Sequence, residues 1–188
     1  KIKNHFNDIE KYKSYFSNAA QKAKGEASVW YLYSQSAPQE IKTLVSDAKI
    51  IICLRNPVDM IYSLHGETIF NGYETESDFE KALTLEYGRK SGLNIPSSAT
   101  FVQCLLYKEN GLYSTHIQRW QEAFGKENVL IILLDDLYKN ALDSTNKALE
   151  FLGLSELPEL NNEVQNEAKD FTSLGLHQKF KSAKNWEK

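Results

Sequence analysis

Two short runs of apolar, largely β-branched residues constrain this chain more than anything else in it. Residues 49–54 read Lys-Ile-Ile-Ile-Cys-Leu, and residues 129–134 read Val-Leu-Ile-Ile-Leu-Leu. Neither run alternates with polar residues, so the first is read as a central strand covered on both faces, in a parallel sheet, and the second as another buried strand. The stretch between them carries helical periodicity. Strands separated by helices imply an α/β domain built on a parallel sheet. Both runs are far shorter than the roughly 20 residues that span a bilayer, and no membrane association is expected.

The flanking segments fit that plan. Phe6, Ile9, Tyr12, Phe16 and Ala19/Ala20 recur at helical spacing, with Gly25 as a stop. Residues 29–33 read as a short aromatic strand. Ser36 is expected to cap a helix that has Pro38 near its start and Ile41, Leu44 and Val45 on its buried face. Pro57 presets the first turn of a helix running to about Thr68. Ser77-x-x-Glu80 has the form of a capping box, opening a helix that carries Phe79, Leu83 and Tyr87. Phe101, Cys104, Leu105 and Tyr107 mark a further helical stretch. Tyr113, Ile117, Trp120 and Phe124 step by four, three and four, a helical stripe read as core rather than as a cofactor shelf. Residues 125–128 turn into the second strand, and residues 144–151 form a helix that stops at Gly153. No repeat, low-complexity block or Gly/Ser linker divides the chain, so residues 1–188 are expected to form one domain.

Composition narrows the function classes. The 188 residues include 25 acidic and 22 basic side chains, a net charge of −3, with no basic block, so no nucleic-acid partner is expected. The apolar fraction of 41% excludes general disorder and supports a real core. Cys53 and Cys104 lie inside apolar stretches and are read as buried free thiols, which favours a reducing, cytoplasmic location. Of the basic residues nineteen are Lys and only three are Arg: Arg55, Arg89 and Arg119. Arginine is the preferred bidentate partner of phosphate and carboxylate, so each of the three counts.

Arg55 stands where the first apolar strand ends, and Asn56-Pro57 supplies a cap and first turn for the next helix. In open α/β sheets ligands gather at the carboxyl ends of strands, where a helix N-terminus favours an anion. One Arg there makes a charge-assisted phosphate site. Alternatively Arg55 pairs with Asp59 and merely orders the turn; spacing alone leaves the two readings open. Arg89 and Arg119 read as surface ion-pair or acceptor-side residues. His65 and His116 have no metal-ligand partners at useful spacing, no Cys/His cluster suggests zinc, and no metal is expected. Asp135-Asp136 reads as the end of a strand and the cap of the next turn.

These residues resemble a known family. The strand followed by Arg55-Asn-Pro-Val-Asp-Met-Ile-Tyr-Ser63, then Gly72-Tyr-Glu74, resembles the 3′-phosphate-binding segment of sulfotransferases. Gly25-Glu-Ala-Ser-Val-Trp-Tyr-Leu32 resembles a strand of that family. Gly111-Leu-Tyr113 with His116, Trp120 and Phe124 resembles the helix before its last strand. Residues 129–137 and 149–153 resemble its closing elements. The similarity runs over residues 25–154 and is nearest to bacterial and heparan-sulfate-type members. It implies a P-loop-type parallel sheet flanked by helices, 3′-phosphoadenosine 5′-phosphosulfate as co-substrate, and Arg55 and Ser63 as ligands of its 3′-phosphate. Ser63 would not stand out without it. Sulfuryl transfer to a hydroxyl or amine of a small-molecule or glycan acceptor follows, with catalysis resting on positioning, stabilisation of the leaving phosphate and one base.

The resemblance also implies a phosphosulfate-binding loop after a first strand, ahead of anything seen here, so the chain is expected to be N-terminally incomplete. His5-Phe6 resembles the stretch that follows that loop. Lys3 stands where heparan-type relatives carry a catalytic Glu, leaving His5 either as the base or as an exposed terminal histidine. The Lys-rich residues 166–188 read more readily as a solvated face than as a nucleotide clamp. A non-catalytic nucleotide-binding or interaction module on the same fold is the alternative function. A kinase on a similar fold would need Asp135 or Asp136 to hold magnesium.

Overall fold

The computed structural model describes residues 9–17 and 20–160. In chain order these form α1 (Ile9–Ser17), a 3-10 turn at Val29–Tyr31, α2 (Ala37–Leu44), β1 (Ile50–Leu54), α3 (Pro57–Phe70) and α4 (Phe79–Lys90). A second 3-10 turn at Val102–Leu105 leads into the short α5 (Tyr107–Asn110), then α6 (Tyr113–Phe124), a third turn at Lys126–Asn128, and β2 (Val129–Leu133). The helices α7 (Leu134–Lys139) and α8 (Ala141–Phe151) follow. β1 and β2 are neighbours in parallel, in register from Ile50↔Val129 to Leu54↔Leu133. A parallel pair needs a crossover, and α3 to α6 provide it.

The apolar stripe of α6 packs against the sheet. Trp120 and Phe124, stacked at 5.9 Å, share one core with Ile52, Leu54, Val129 and Ala37. A second core gathers Ala82, Cys104, Leu105 and Tyr107, with Trp30, Ile61, Leu64 and Phe101 against it. The sheet is less covered than its composition suggests. Burial alternates along β1: Ile52 and Leu54 are buried, whereas Ile51 is 37% exposed and Cys53 is exposed. Successive side chains point to opposite faces of a strand, so an unbroken apolar run states which residues tolerate burial, not how many faces are covered. Cys104 alone is the buried thiol.

Several local expectations are corrected. Residues 29–33 form a tight turn rather than a strand: the Tyr31 N–H reaches the Ser28 carbonyl at 3.2 Å, and Trp30 packs edge-on against Phe101 with centroids 4.7 Å apart. The aromatic residues there serve side-chain packing, which sequence pattern does not separate from strand propensity. At α2 the cap comes from Ser34, whose hydroxyl accepts the Ala37 N–H at 3.0 Å, while Ser36 makes no side-chain cap. Leu44 and Val45 are about half exposed, and Ile41 packs inward. Asp78, not Ser77, caps α4 by accepting the Lys81 N–H at 3.0 Å.

The buried face of α4 also differs from the one its apolar residues suggest. Its buried residues are Ala82, Glu86 and Arg89, and Tyr87 is exposed. Arg89 is therefore not a surface residue. Its guanidinium lies 2.8 Å from Glu74 Oε2 and donates to Glu74 Oε1 at 2.9 Å, with further bonds to the Leu105 and Asn94 carbonyls. Glu74 also accepts from the Thr75 and Glu76 N–H groups and from the Tyr107 hydroxyl, whose oxygen is 2.9 Å from Thr68 Oγ1. This network binds the end of α3 to the loop after it, to α4 and to α5. Glu86 accepts the Lys108 and Glu109 N–H groups, supplying α5 with the cap its own sequence lacks.

Candidate functional site

β1 delivers the chain to the start of α3 at the carboxyl edge of the sheet. Asn56 caps α3: its side-chain oxygen accepts the Val58 N–H at 2.9 Å. Pro57 has no N–H, so two of the first three helical positions offer nothing to a ligand. Asp59 adds a negative charge to the same turn. The helix end alone is thus a poor anion cradle, and what makes the place cationic is Arg55.

Arg55 is exposed, and among the described residues it makes no hydrogen bond or ion pair. Asp59 does not take it up, which decides against a merely structural Arg55–Asp59 pair. Ser63 is also exposed, with no partner of its own among the described residues. It lies six residues beyond Pro57, about 9 Å along the helix axis. Asn56, Asp59, Ser63 and Glu67 recur at three- and four-residue intervals and are all exposed, so they form one polar stripe. The opposite side of α3 carries the buried His65, Thr68 and Ile69.

Tyr33 links the first turns of α3 and α6: its hydroxyl is 3.9 Å from Met60 Sδ, and its ring meets His116 edge-on at 5.2 Å. Gly111, just before α6, sits so close to α3 that a Cβ there would stand 3.4 Å from Ile61 Cγ2. Burial pushes the Tyr33 hydroxyl up to about 12, with Tyr113 adding to the shift. Burial also raises the Tyr113 hydroxyl, and the Arg55 charge pulls it back. The Arg119 guanidinium donates to the Ser34 carbonyl at 2.9 Å, tying α6 to the turn that holds Tyr33.

The two helical histidines serve structure. The His65 ring N–H donates to the Glu76 carbonyl at 2.8 Å, and that of His116 to the Glu109 carbonyl at 3.1 Å. Among the described residues no group of three or more His, Cys, Asp or Glu is arranged to hold a metal ion, and no helix is long and apolar enough to cross a membrane. Asp135 and Asp136 fall in the first turn of α7. A groove of about 340 Å³ is lined by Thr75, Glu76, Leu85, Arg89, Asn94, Ile95 and Pro96, with neither Arg55 nor Ser63 among them. His5 and Lys3, like residues 166–188, lie outside the described residues. Sequence reasoning missed Tyr33 as the link between α3 and α6. No periodicity ties position 33 to 60 or to 116, so no local signal could have found it.

Comparison with known proteins agrees with the α/β architecture. The model of the sulfotransferase domain family matches residues 3–185. The chain is 29% identical over 155 residues to bifunctional heparan sulfate N-deacetylase/N-sulfotransferase 2 of Homo sapiens, covering 81% of this chain and 17% of that protein. It is 30% identical over 167 residues to the human protein numbered 3 in that series, covering 84% and 18%. The crystal structure of a sulfotransferase from Alicyclobacillus acidocaldarius superposes with a TM-score of 0.70 at 30% identity, over 85% of this chain and 62% of that one. The chain thus spans less than a fifth of the length of these curated relatives.

Proposed function

The chain belongs to the sulfotransferase domain family, and on that premise we propose that it binds 3′-phosphoadenosine 5′-phosphosulfate at the junction of β1 and α3 for sulfuryl transfer to a hydroxyl or amine acceptor. The observation that carries this reading is Arg55, an exposed guanidinium without a partner among the described residues, at the carboxyl edge of a parallel sheet. A cation left unpaired beside an available Asp59 is suited to an anion from outside. The residues fit the donor's distinguishing group. Arg55 offers a planar fork of N–H donors to the 3′-phosphate, and the exposed Ser63 hydroxyl of α3 offers one more.

When bound, this donor supplies an activated sulfuryl group, whose S–O bond to the 5′-phosphate breaks as the acceptor's oxygen or nitrogen bonds to sulfur and loses its proton to a base. The protein's share in that chemistry is chiefly placement. Asn56 fixes the backbone that aims Arg55. The Glu74–Arg89 network holds the far end of α3 and so the attitude of the whole helix. Small molecules and glycans are both compatible acceptors.

Calorimetry with adenosine 3′,5′-bisphosphate tests the reading in the intact protein. Losing a charge-assisted contact of this kind costs about 1.5–3 kcal/mol, so Arg55→Ala should weaken binding by roughly 10- to 100-fold. Affinity unchanged by that substitution would sink the assignment.

A further inference from the structure

Arg89 is 1% exposed, yet it lines the groove of about 340 Å³ between α4, the loop after α3 and residues 94–96. A guanidinium holds its N–H groups in one plane. Here Nε donates to the Asn94 carbonyl at 3.2 Å, Nη1 to the Leu105 carbonyl at 3.3 Å and Nη2 to Glu74 Oε1 at 2.9 Å. Nη1 also lies 2.8 Å from Glu74 Oε2, so the carboxylate faces the end of the fork. Nη2 has a second N–H, which has no partner among the described residues. The plane of the group puts that N–H beside the Nε N–H, on the side of Asn94. A buried donor left unpaired is costly, and this one belongs to a wall of the groove.

The opposite walls are firmly set. Asn94 holds a φ of 54°, a left-handed conformation that asparagine tolerates better than most residues. Gly88 lets it lie against α4, since a Cβ there would stand 3.0 Å from Asn94 Nδ2. The Asn94 side-chain amide, able to donate and to accept, makes no hydrogen bond among the described residues. Glu76 Oε1 accepts the Asp78 N–H at 2.9 Å, and Oε2 has no partner among the described residues. Leu85, Ile95 and Pro96 complete the groove with apolar surface.

These groups select the chemistry of an occupant. The Arg89 charge is already met by Glu74, so Glu76 leaves the groove negative overall. Phosphate and sulfate are therefore repelled. An ammonium would suit Glu76 but would leave the Arg89 donor without an acceptor. A hydroxyl answers both, accepting from the guanidinium and donating to the carboxylate. Several hydroxyls on a C–H frame, with that frame against Leu85, Ile95 and Pro96, describe a saccharide ring. The volume lies at the low end of the roughly 300–1,000 Å³ of small-molecule sites, which suits one such unit.

We propose that this groove binds an uncharged saccharide unit, hydrogen-bonded by Arg89, Asn94 and Glu76. It is separate from the anion site, because neither Arg55 nor Ser63 lines it. Its occupancy does not depend on the donor nucleotide.

Arg89 also holds Glu74, so the test substitutes the other two residues. The intact, isotopically labelled protein is titrated with the methyl glycosides of glucose, galactose, mannose and N-acetylglucosamine, and with methyl glucuronide as an anionic counterpart. Backbone amide resonances of Thr75, Glu76 and Ile95 report binding. At least one glycoside should shift them saturably at millimolar concentration, and the glucuronide should bind more weakly than the best glycoside. Asn94→Gly keeps the left-handed backbone, and Glu76→Gln keeps an acceptor for Asp78. Each should weaken the best glycoside about fivefold. Adenosine 3′,5′-bisphosphate should leave the glycoside in place. Silence of all the glycosides, or wild-type affinity in both variants, overturns the proposal. So does tighter binding of the glucuronide, or displacement by the bisphosphate, since either would make the groove an anion site.

Discussion

Arg89 grips Glu74 by both carboxylate oxygens, at 2.8 and 2.9 Å, and neither side chain reaches solvent. A buried pair of this kind is weak evidence for net stabilisation, because desolvating both charges offsets much of their attraction. Removing one partner is a different matter. Arg89→Met leaves a buried carboxylate uncompensated and should cost about 3–5 kcal/mol in chemical denaturation. A cost below about 1 kcal/mol would mean that the pair does not hold α3, α4 and α5 together.

The same pair sets a pH dependence. Burial works to raise the Glu74 carboxyl, but the Arg89 guanidinium, the Glu76 N–H and the Tyr107 hydroxyl outweigh it and hold the group below the ordinary carboxylate range. A carboxyl depressed on folding adds stability that is complete above its unfolded pKa of about 4.3 and is lost as pH falls through the lower folded value. Wild type should therefore lose stability on acidification below about pH 5 more steeply than Glu74→Gln. Parallel curves for the two proteins would show that another group governs acid unfolding.

The two thiols should behave differently. Burial pushes the Cys104 thiol up to about 11, and its sulfur donates to the Phe101 carbonyl at 2.9 Å. Cys53 is also raised by its surroundings, yet it is exposed on β1. Native labelling of this chain with a maleimide should modify a single thiol, and Cys53→Ser should abolish it. In denaturant both should react. Labelling of Cys104 first would contradict the packing of the second core.

The cap of α3 links stability to binding. Asn56→Ala removes the acceptor of the Val58 N–H and should cost about 1 kcal/mol of stability. Because Arg55 is the preceding residue, bisphosphate affinity should fall as well. Asn56→Asp keeps the cap and should restore the stability, which thermal melting can follow. Its added negative charge should leave the affinity low.

Much of this fold was legible because hydrophobic period and direction coincide. The runs at 50–54 and 129–133 are strands, and Trp120 and Phe124 sit in the core where their spacing puts them. The position of Arg55 at a strand end was legible for the same reason. What failed did so where polar groups are inside. In α4 the stripe of Phe79, Leu83 and Tyr87 looks like the buried face, but Glu86 and Arg89 are buried and Tyr87 is open. Hydrophobicity cannot reveal a face whose interior partners are charges. Glu74, fifteen residues from Arg89, carries no local signal that it will meet it. Coverage of β1 was equally out of reach, since Cys53 and Ile52 differ in exposure, not in character.

The parallel ladder has a kinetic consequence. Ile50 and Val129 pair across 79 positions of chain, whereas Glu74 meets Arg89 over 15 and Lys108 meets Glu86 over 22. Short-range contacts repay their loop-closure entropy early, and long-range strand pairing comes slowly. The helical unit from α3 to α5 can therefore assemble before the strands close. Ile52 and Leu54 of β1 and Val129 of β2 share a core with Trp120 and Phe124 of α6, so that core is complete only when the strands dock. It is then the last part of the molecule to come into being. A substitution that weakens only this late packing would speed unfolding while leaving the refolding rate almost untouched.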